Sequence, residues 1–277
     1  MLASTLFRSI SECEINAWRD MYAAAGKDIS DKFGIKIFSI GSACVSIASG
    51  IDNPAHNRVL GLGLAEPATE QILDEIISKY KEADVKKIFI QLHPESSPPQ
   101  LSEWFKKRNI HYYNNRVKHY RGVEEPPEVE TDFEIREFQT KNEAGRFGEI
   151  ITKSFGLPDD IKYWFASLAG RKYWKTYLAF ENDKAIATAS LFVKDDFGWL
   201  SFAGTLPDYR KKGAQTALIA KRIRDAAELG CKVLTAETNE KSGENRSQSL
   251  QYLQKMGFEV AFTQLNFLCE QVLITRK

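Results

Sequence analysis

The sequence predicts an α/β (α+β) chain in two halves, each a mixed, mostly antiparallel sheet flanked by helices. Three observations lead there. At 277 residues the chain is long enough for two compact domains. The stretch Gly122-Val-Glu-Glu-Pro-Pro-Glu-Val-Glu-Thr-Asp132 combines adjacent prolines with five acids. It resists both helix and sheet interior, so residues 1–124 and 125–277 are expected to form separate domains. Within each half the apolar period switches between 2 and 3.6, in the same order of elements.

In the second half Phe133–Glu137 reads as a short strand. Thr140, with Glu143 three residues on, caps a helix that Gly156-Leu-Pro158 stops near Phe155. A second helix is expected over Asp160–Ala169. Trp174–Phe180, Ala185–Val193 and Trp199–Thr205 alternate apolar and polar residues across short polar turns, which predicts an antiparallel meander. After Gly213 an apolar helical face appears through Ala217, Leu218, Ala220, Ile223, Ala226 and Ala227, with Lys221, Arg222, Arg224 and Asp225 facing out. Lys232–Thr238 then reads as a buried strand, Ser247–Met256 as a helix and Phe258–Leu268 as strand material. The first half repeats the pattern more faintly. Ile35–Ile40, Cys44–Ala48 and Arg58–Leu62 are its meander, followed by helix Thr69–Lys81, strand Lys86–Gln91, helix Leu101–Lys107 and strand Val117–Arg121.

Composition narrows the function. Hydrophobic residues are 43% and charged residues 27%, which excludes a disordered or collagenous chain. A net charge of +1 offers no global field for nucleic acid or a membrane surface, so neither is expected as a partner and any anion site must be local. Cys13, Cys44, Cys231 and Cys269 form no CxxC pair, which argues against zinc and for reduced core thiols in a cytoplasmic protein. Arg8 and Glu12 interrupt the first apolar run, so it does not read as a signal peptide.

The most informative segment is Thr205-Leu-Pro-Asp-Tyr-Arg-Lys-Lys-Gly-Ala-Gln-Thr216, which joins a strand to an amphipathic helix. A helix start presents unpaired amides and partial positive charge, and so favours an anion. Gly213 lets the backbone approach a phosphate or turn with positive φ, while Arg210, Lys211 and Lys212 add cationic charge. A solvated basic loop that merely caps the helix is the alternative. Neither GxxxxGK[ST] nor GxGxxG is present.

The order of elements and this motif together resemble the GNAT N-acetyltransferase superfamily. There a strand leads into R/Q-x-x-G-x-G/A, whose amides hold the coenzyme A pyrophosphate. Arg210-Lys-Lys-Gly213-Ala-Gln215 matches at Arg210 and Gly213 and departs at Gln215, whose backbone N–H still serves provided the side chain points outward. Asn245-Arg-Ser-Gln-Ser-Leu-Gln-Tyr-Leu-Gln-Lys-Met-Gly257-Phe258 looks like the closing helix of that family, and the likeness covers about residues 132–268. Asn57–Gly63 and Phe89–Pro94 suggest a degenerate first copy, so the whole resembles a tandem GNAT protein.

The resemblance implies acetyl-CoA as co-substrate and a small-molecule amine as acceptor. It places the pyrophosphate on Arg210, Lys211, Lys212, Gly213, Ala214, Gln215 and Thr216, and the pantetheine arm near Asn245. It further implies that the amides of Thr205 and Leu206 polarise the thioester carbonyl. An alkylamine at pH 7 is neutral in roughly one molecule in 2500, so a base must supply roughly 4.6 kcal/mol. All four histidines precede the linker, which leaves Glu237 as the candidate base, unless it pairs with a basic neighbour. The family's tyrosine acid would fall on Leu253, so the adjacent Tyr252 is the candidate acid, with a packed tyrosine as the alternative. A coenzyme-binding module without turnover is the second functional expectation. The first half carries Glu66 and Glu70 at the equivalent junction, where they would repel a phosphate, so it is expected not to bind the coenzyme. There, His111-Tyr112-Tyr113 and Trp104 are expected to pack, or to line an acceptor wall.

Overall fold

The computed structural model describes residues 3–138, 140–242, 245–246 and 248–270. In chain order it contains α1 (Ala3–Ala23), α2 (Lys27–Phe33), β1 (Ile35–Ile40), β2 (Ala43–Ala48), β3 (Arg58–Leu60), α3 (Glu70–Glu82), β4 (Lys87–Leu92), α4 (Leu101–Lys107) and β5 (Ile110–Gly122). There follow β6 (Glu134–Glu137), α5 (Lys141–Phe155), α6 (Lys162–Ala166), β7 (Trp174–Glu181), β8 (Lys184–Lys194) and β9 (Phe197–Thr205). The chain continues with α7 (Ala214–Glu228), β10 (Val233–Asn239), β11 (Lys241–Ser242), β12 (Asn245–Arg246), α8 (Gln248–Lys255) and β13 (Glu259–Glu270).

Met1–Arg116 with Phe262–Lys277 make one compact unit and Val117–Ala261 the other. A cut at 124/125 differs from this division at both ends, for a physical reason. β5 runs on to Gly122 before the prolines stop it, and β10 is its sheet neighbour. The last residues of β13 pair instead with β4, from Leu265↔Leu92 to Glu270↔Lys87.

In the first unit the strands lie in the order β1-β2-β3-β4-β13. The pairs are antiparallel except β3/β4, which is parallel at Arg58↔Phe89 and Val59↔Ile90. Thr69 caps α3 by accepting from Ile72 N–H, and Leu73, Ile76, Ile77 and Tyr80 bury one face of that helix against Val45, Val59, Ile88 and Ile90. No element is expected from sequence before Ile35. Here α1 buries Ile10, Cys13, Ala17 and Met21 along one helical stripe.

In the second unit the order is β5-β10-β9-β8-β7-β6, again with a single parallel pair among those in register, β9/β10. The mixed, mostly antiparallel sheet expected from sequence is therefore present. Thr140 caps α5, accepting from Glu143 N–H (3.3 Å) and donating to Glu143 Oε2 (2.6 Å). Ala217, Leu218, Ala220, Ile223 and Ala226 of α7 join Leu191, Leu200, Leu234 and Ala236 in one core. Two residues expected to face out do not. Arg222 is 2% exposed and Asp225 7%. Arg222 donates to Ser190 O and Leu218 O, both at 3.1 Å, and Asp225 accepts from Tyr177 OH at 2.8 Å, so both polar heads are satisfied inside. All four cysteines are buried thiols.

Candidate functional site

The site begins where two strands part. β9 and β10 pair in parallel from Phe197↔Val233 to Leu200↔Ala236, and beyond that Ser201–Thr205 and Glu237–Asn239 continue without pairing to each other. On its other edge β9 stays on β8 as far as Ala187↔Thr205, but with a bulge. Thr188 faces Gly204 and Ser190 faces Ser201, so Phe202 and Ala203 share the place of Ala189, and Phe202 takes φ +43°. A side chain at Gly204 would force Ser154 of α5 to shift, because a Cβ there would lie 2.6 Å from Ser154 Oγ and 2.9 Å from Ser154 Cβ.

The bulge decides which amides face the gap. Leu206 N–H donates to Ile186 O at 3.0 Å. That bond brackets Ala187↔Thr205 as a wide pair, whose own N–H and C=O point away from β8. Thr205 N–H therefore faces the side from which β10 has parted. Leu206 does not share that position, since Ile186 already takes its amide, which corrects the expectation of two polarising amides here.

After Leu206 a short 3₁₀ turn over Pro207–Tyr209 leads into the bend, where Lys211 (φ +62°) and Gly213 (φ +93°) both take left-handed conformations. No Cβ contact within 4 Å would arise at Gly213, so the requirement for glycine is its φ and not its space. Among the described residues the backbone N–H groups of Lys211, Lys212, Gly213, Ala214, Gln215 and Thr216 have no acceptor; the first α7 bond runs from Ala217 N–H to Gly213 O. These six consecutive acceptor-free amides run from an exposed basic bend, Lys211–Gly213, into the first turn of α7, a donor arrangement of the kind that favours an anion. Arg210 is braced by an Nε–H bond to Thr205 O (3.3 Å), while Lys212 lies 3.7 Å from Glu181 and 4.9 Å from the Tyr209 ring. The outward orientation expected of Gln215 is not found. Its Nε2 turns in and donates to Gly204 O (2.9 Å), Thr205 Oγ1 (3.0 Å) and Thr188 O (3.3 Å), tying the bend to the bulge and leaving its backbone N–H in the row.

Glu237 is the first residue of β10 past the parting. Leu234 and Ala236 face the core under α7, so Glu237 lies on the opposite sheet face. Its Oε2 is 2.5 Å from Lys118 Nζ of β5, with side chains 7% and 2% exposed. The pairing with a basic neighbour, an alternative left open by the sequence, is therefore present. Thr238 shares the α7 face with His119 of β5, whose Nε2 is 2.9 Å from Thr238 Oγ1. Burial and the Lys118 charge push the His119 imidazole down to about 4, so it is neutral at pH 7. The second unit thus does hold a histidine, because it begins at Val117, ahead of the linker. Sequence reasoning missed Lys118 and His119 for this site; Val117–Arg121 reads as a strand, but nothing local assigns it to this sheet.

Tyr252 of α8 is half-buried against the same core, and its hydroxyl accepts from Gln248 Nε2 at 2.7 Å. Asn245 lies in β12, paired with Ser242, and its side chain falls outside the described residues. An open cleft of about 460 Å³ adjoins the strand exit at Leu206 and is lined by Arg146, Glu149 and Lys153 of α5 and by the 182–185 turn.

The equivalent junction in the first unit is built differently. Ala68 N–H donates to Ser97 O (2.9 Å), Ser97 N–H to Gly63 O (2.8 Å), and Ile72 N–H to Thr69 Oγ1 (3.2 Å). Glu70 in the first turn of α3 accepts from Arg108 Nη1 at 3.2 Å. Tyr112 and Tyr113 are each 55% exposed, and they touch the Phe267 and Phe89 rings, respectively. Among the described residues no group of three or more His, Cys, Asp or Glu is placed to hold a metal, and no helix is long and apolar enough to cross a membrane.

Residues 144–258 match the model of the acetyltransferase (GNAT) family. No curated protein sequence matches the chain. A GCN5-related N-acetyltransferase from Kribbella flavida superposes with a TM-score of 0.61 at 14% identity, covering 87% of this chain and 91% of its own. A GCN5-related N-acetyltransferase from Sphaerobacter thermophilus gives 0.60 at 14% identity, with 84% and 82% covered. A tandem GNAT protein from the clavulanic acid biosynthesis pathway gives 0.59 at 11% identity, with 82% and 78% covered. At such identities the likeness is one of fold, and it runs through most of the chain. Residues 144–258 form a GNAT acetyltransferase domain, in a chain that has the GNAT fold.

Proposed function

We propose that the second unit transfers an acetyl group from acetyl-CoA to the amine of a small molecule by direct attack on the thioester. The observation that carries this is the row of acceptor-free amides from Lys211 to Thr216, on a basic bend beside the parting of β9 and β10. That donor set suits a diphosphate: main-chain N–H groups with Arg210, Lys211 and Lys212 around them, and a helix start behind. Bound there, acetyl-CoA supplies the thioester carbonyl that the amine attacks. Thr205 N–H, turned to the gap, hydrogen-bonds the developing oxyanion.

Glu237 takes the proton from the acceptor's ammonium, directly or through a water, and Tyr252 is the candidate donor to the leaving thiolate. Asn245 is assigned to the pantetheine arm. The first unit takes no coenzyme: at its junction Thr69 and Ser97 already use the loop's polar groups, and Glu70 sits in the first turn.

Calorimetric titration with acetyl-CoA, followed by mass detection of acetylated products from a mixed amine panel, tests the proposal. Saturable binding at one site per chain with acetylation of at least one amine is the expected result. Binding without any product would make the chain a coenzyme sensor, and absence of binding would overturn both readings.

A further inference from the structure

We propose that Phe202 sets the class of acceptor: the amine taken by the second unit carries an aromatic body, as an arylalkylamine does, and is neither an amino alcohol nor a polyamine. The inference rests on the acetyl transfer proposed above and names the acceptor for that same site.

The bulge in β9 turns the ring. Leu200 faces the core under α7, so in regular alternation Phe202 would face it too. Trp199 lies on the opposite face, and Phe202 joins it there. Its ring centroid is 5.8 Å from Trp199, 5.8 Å from Trp174 of β7 and 5.2 Å from Phe165 of α6. The bulge at Phe202 and Ala203, with φ +43° at Phe202, brings the side chain across the sheet. Glycine or asparagine would hold that φ with less strain, so the backbone alone does not account for a phenyl group here. Phe165, Trp174 and Trp199 are 1%, 3% and 6% exposed, whereas Phe202 is half-buried, so of these four rings it is the one that reaches the surface.

The ring surfaces at the gap. β9 and β10 pair last at Leu200↔Ala236. Beyond that pair, the face opposite α7 presents Ser201 and Phe202 from β9 and Glu237 from β10, and Ser201 Oγ is engaged by Ser190 Oγ of β8 at 2.9 Å. The start of α7 takes the diphosphate in the proposed reaction, so the coenzyme comes from the α7 face and the amine meets the thioester from this one. One wall of its path is polar, Glu237 with Lys118 Nζ at 2.5 Å, and the other is a phenyl ring. The amine nitrogen suits the first wall. Hydroxyls or further ammonium groups would lose their bonds to water against the second, while an aryl group gains apolar contact and ring packing there. Among the described residues, the exposed rings of this unit are Phe155 (53%) of α5 and Tyr163 (55%) of α6, and α6 also supplies Phe165 to the cluster.

The test measures kcat/KM of the full chain for phenethylamine and ethanolamine, which carry a phenyl group and a hydroxyl on the same two-carbon amine, with putrescine as the polycationic case. Phenethylamine should lead both by about 30-fold or more. Phe202→Asn, which tolerates the left-handed φ, should cut that lead about tenfold without changing acetyl-CoA affinity by calorimetry, and Phe202→Tyr should keep most of it. Ethanolamine or putrescine equal to phenethylamine or ahead of it overturns the inference. So does a Phe202→Asn enzyme that loses the same factor with all three amines, because the ring then serves packing alone. If Phe202→Asn does not fold, Phe202→Leu is the check: a smaller lead supports the inference and an unchanged one overturns it. If no amine is acetylated, the acetyl-transfer reading falls, and calorimetry on the chain saturated with acetyl-CoA decides the aryl site by itself. Tighter binding of phenethylamine than of ethanolamine supports it, and equal or absent binding overturns it.

Discussion

Replacing Gly213 by glutamate separates backbone strain from charge. At φ +93° any L-residue incurs a left-handed cost of about 1–2 kcal/mol, and since a Cβ there meets nothing within 4 Å, no steric term is added. Gly213→Ala should therefore weaken acetyl-CoA binding by about 30-fold at most. Gly213→Glu carries the same strain plus a negative charge beside a diphosphate. At ~6 Å, with an effective dielectric between ~20 and ~80, each pair of charges costs ~0.7–2.8 kcal/mol, so two phosphate charges cost ~1.5–5 kcal/mol. The glutamate variant should bind at least about tenfold more weakly than the alanine variant. The gap between the two should shrink in ~0.5 M salt, where screening reaches only a few ångströms. Calorimetry at two salt concentrations reads both quantities. Equal affinities for Gly213→Glu and Gly213→Ala, or a gap indifferent to salt, would show that no anion lies on the bend.

Arg210→Ala removes a guanidinium braced on Thr205 O, and should weaken coenzyme binding by ~1.5–3 kcal/mol, about 10- to 150-fold, in a salt-dependent way measurable by the same titration. Gln215→Leu strips a donor from Gly204 O, Thr205 Oγ1 and Thr188 O. It should cost ~1–3 kcal/mol in urea unfolding, while the amide row keeps its chemistry. His119 is lowered to about 4 in the folded chain, whereas the unfolded imidazole titrates near 6.5, so the unfolded state binds the proton first as pH falls. Stability should drop between pH 6.5 and 4, by about 2 kcal/mol from pH 7 to pH 5 for this one group. Chemical denaturation of His119→Gln should show a shallower pH slope than the wild type; parallel slopes would disprove the buried neutral imidazole.

The parts of the fold legible in sequence are those whose signals are local. Trp174–Phe180, Ala185–Val193 and Trp199–Thr205 alternate across polar turns, and all three appear as strands within a residue or two. The α7 apolar face is periodic and packs as read. Arg222 and Asp225 defeat the same rule, because a helical projection assigns charge to water and cannot see Ser190 O or Tyr177 OH across the interface. α1 escapes detection for a different reason: its buried stripe Ile10, Cys13, Ala17 and Met21 is interleaved with buried Ser11 and Glu14, so apolar patterning is diluted by polar residues that turn inward. Lys118 and His119 are visible as strand residues, but sheet membership is a non-local property. The acidic, proline-bearing linker misleads by following the strand that the second unit uses.

The bend itself was readable because glycine, cations and a helix start coincide within a few residues, yet its competence depends on something only the structure supplies. Both units carry a parallel pair whose first strand exits toward a helix, β3 to α3 and β9 to α7. At α3 a threonine side chain takes an amide at the helix start, and Ser97 takes another just before it. A cap of that kind stabilises a helix by ~1 kcal/mol, and by the same act removes donors an anion would need. At α7 the capping residue is Gly213, which has no side chain to offer, and Gln215 spends its amide on the bulge behind the bend instead of on the helix start. The helix forgoes a cap and its amides stay open. The same architecture therefore yields a side-chain-capped helix start in one unit and an uncapped one in the other, and the proposed anion site depends on that difference.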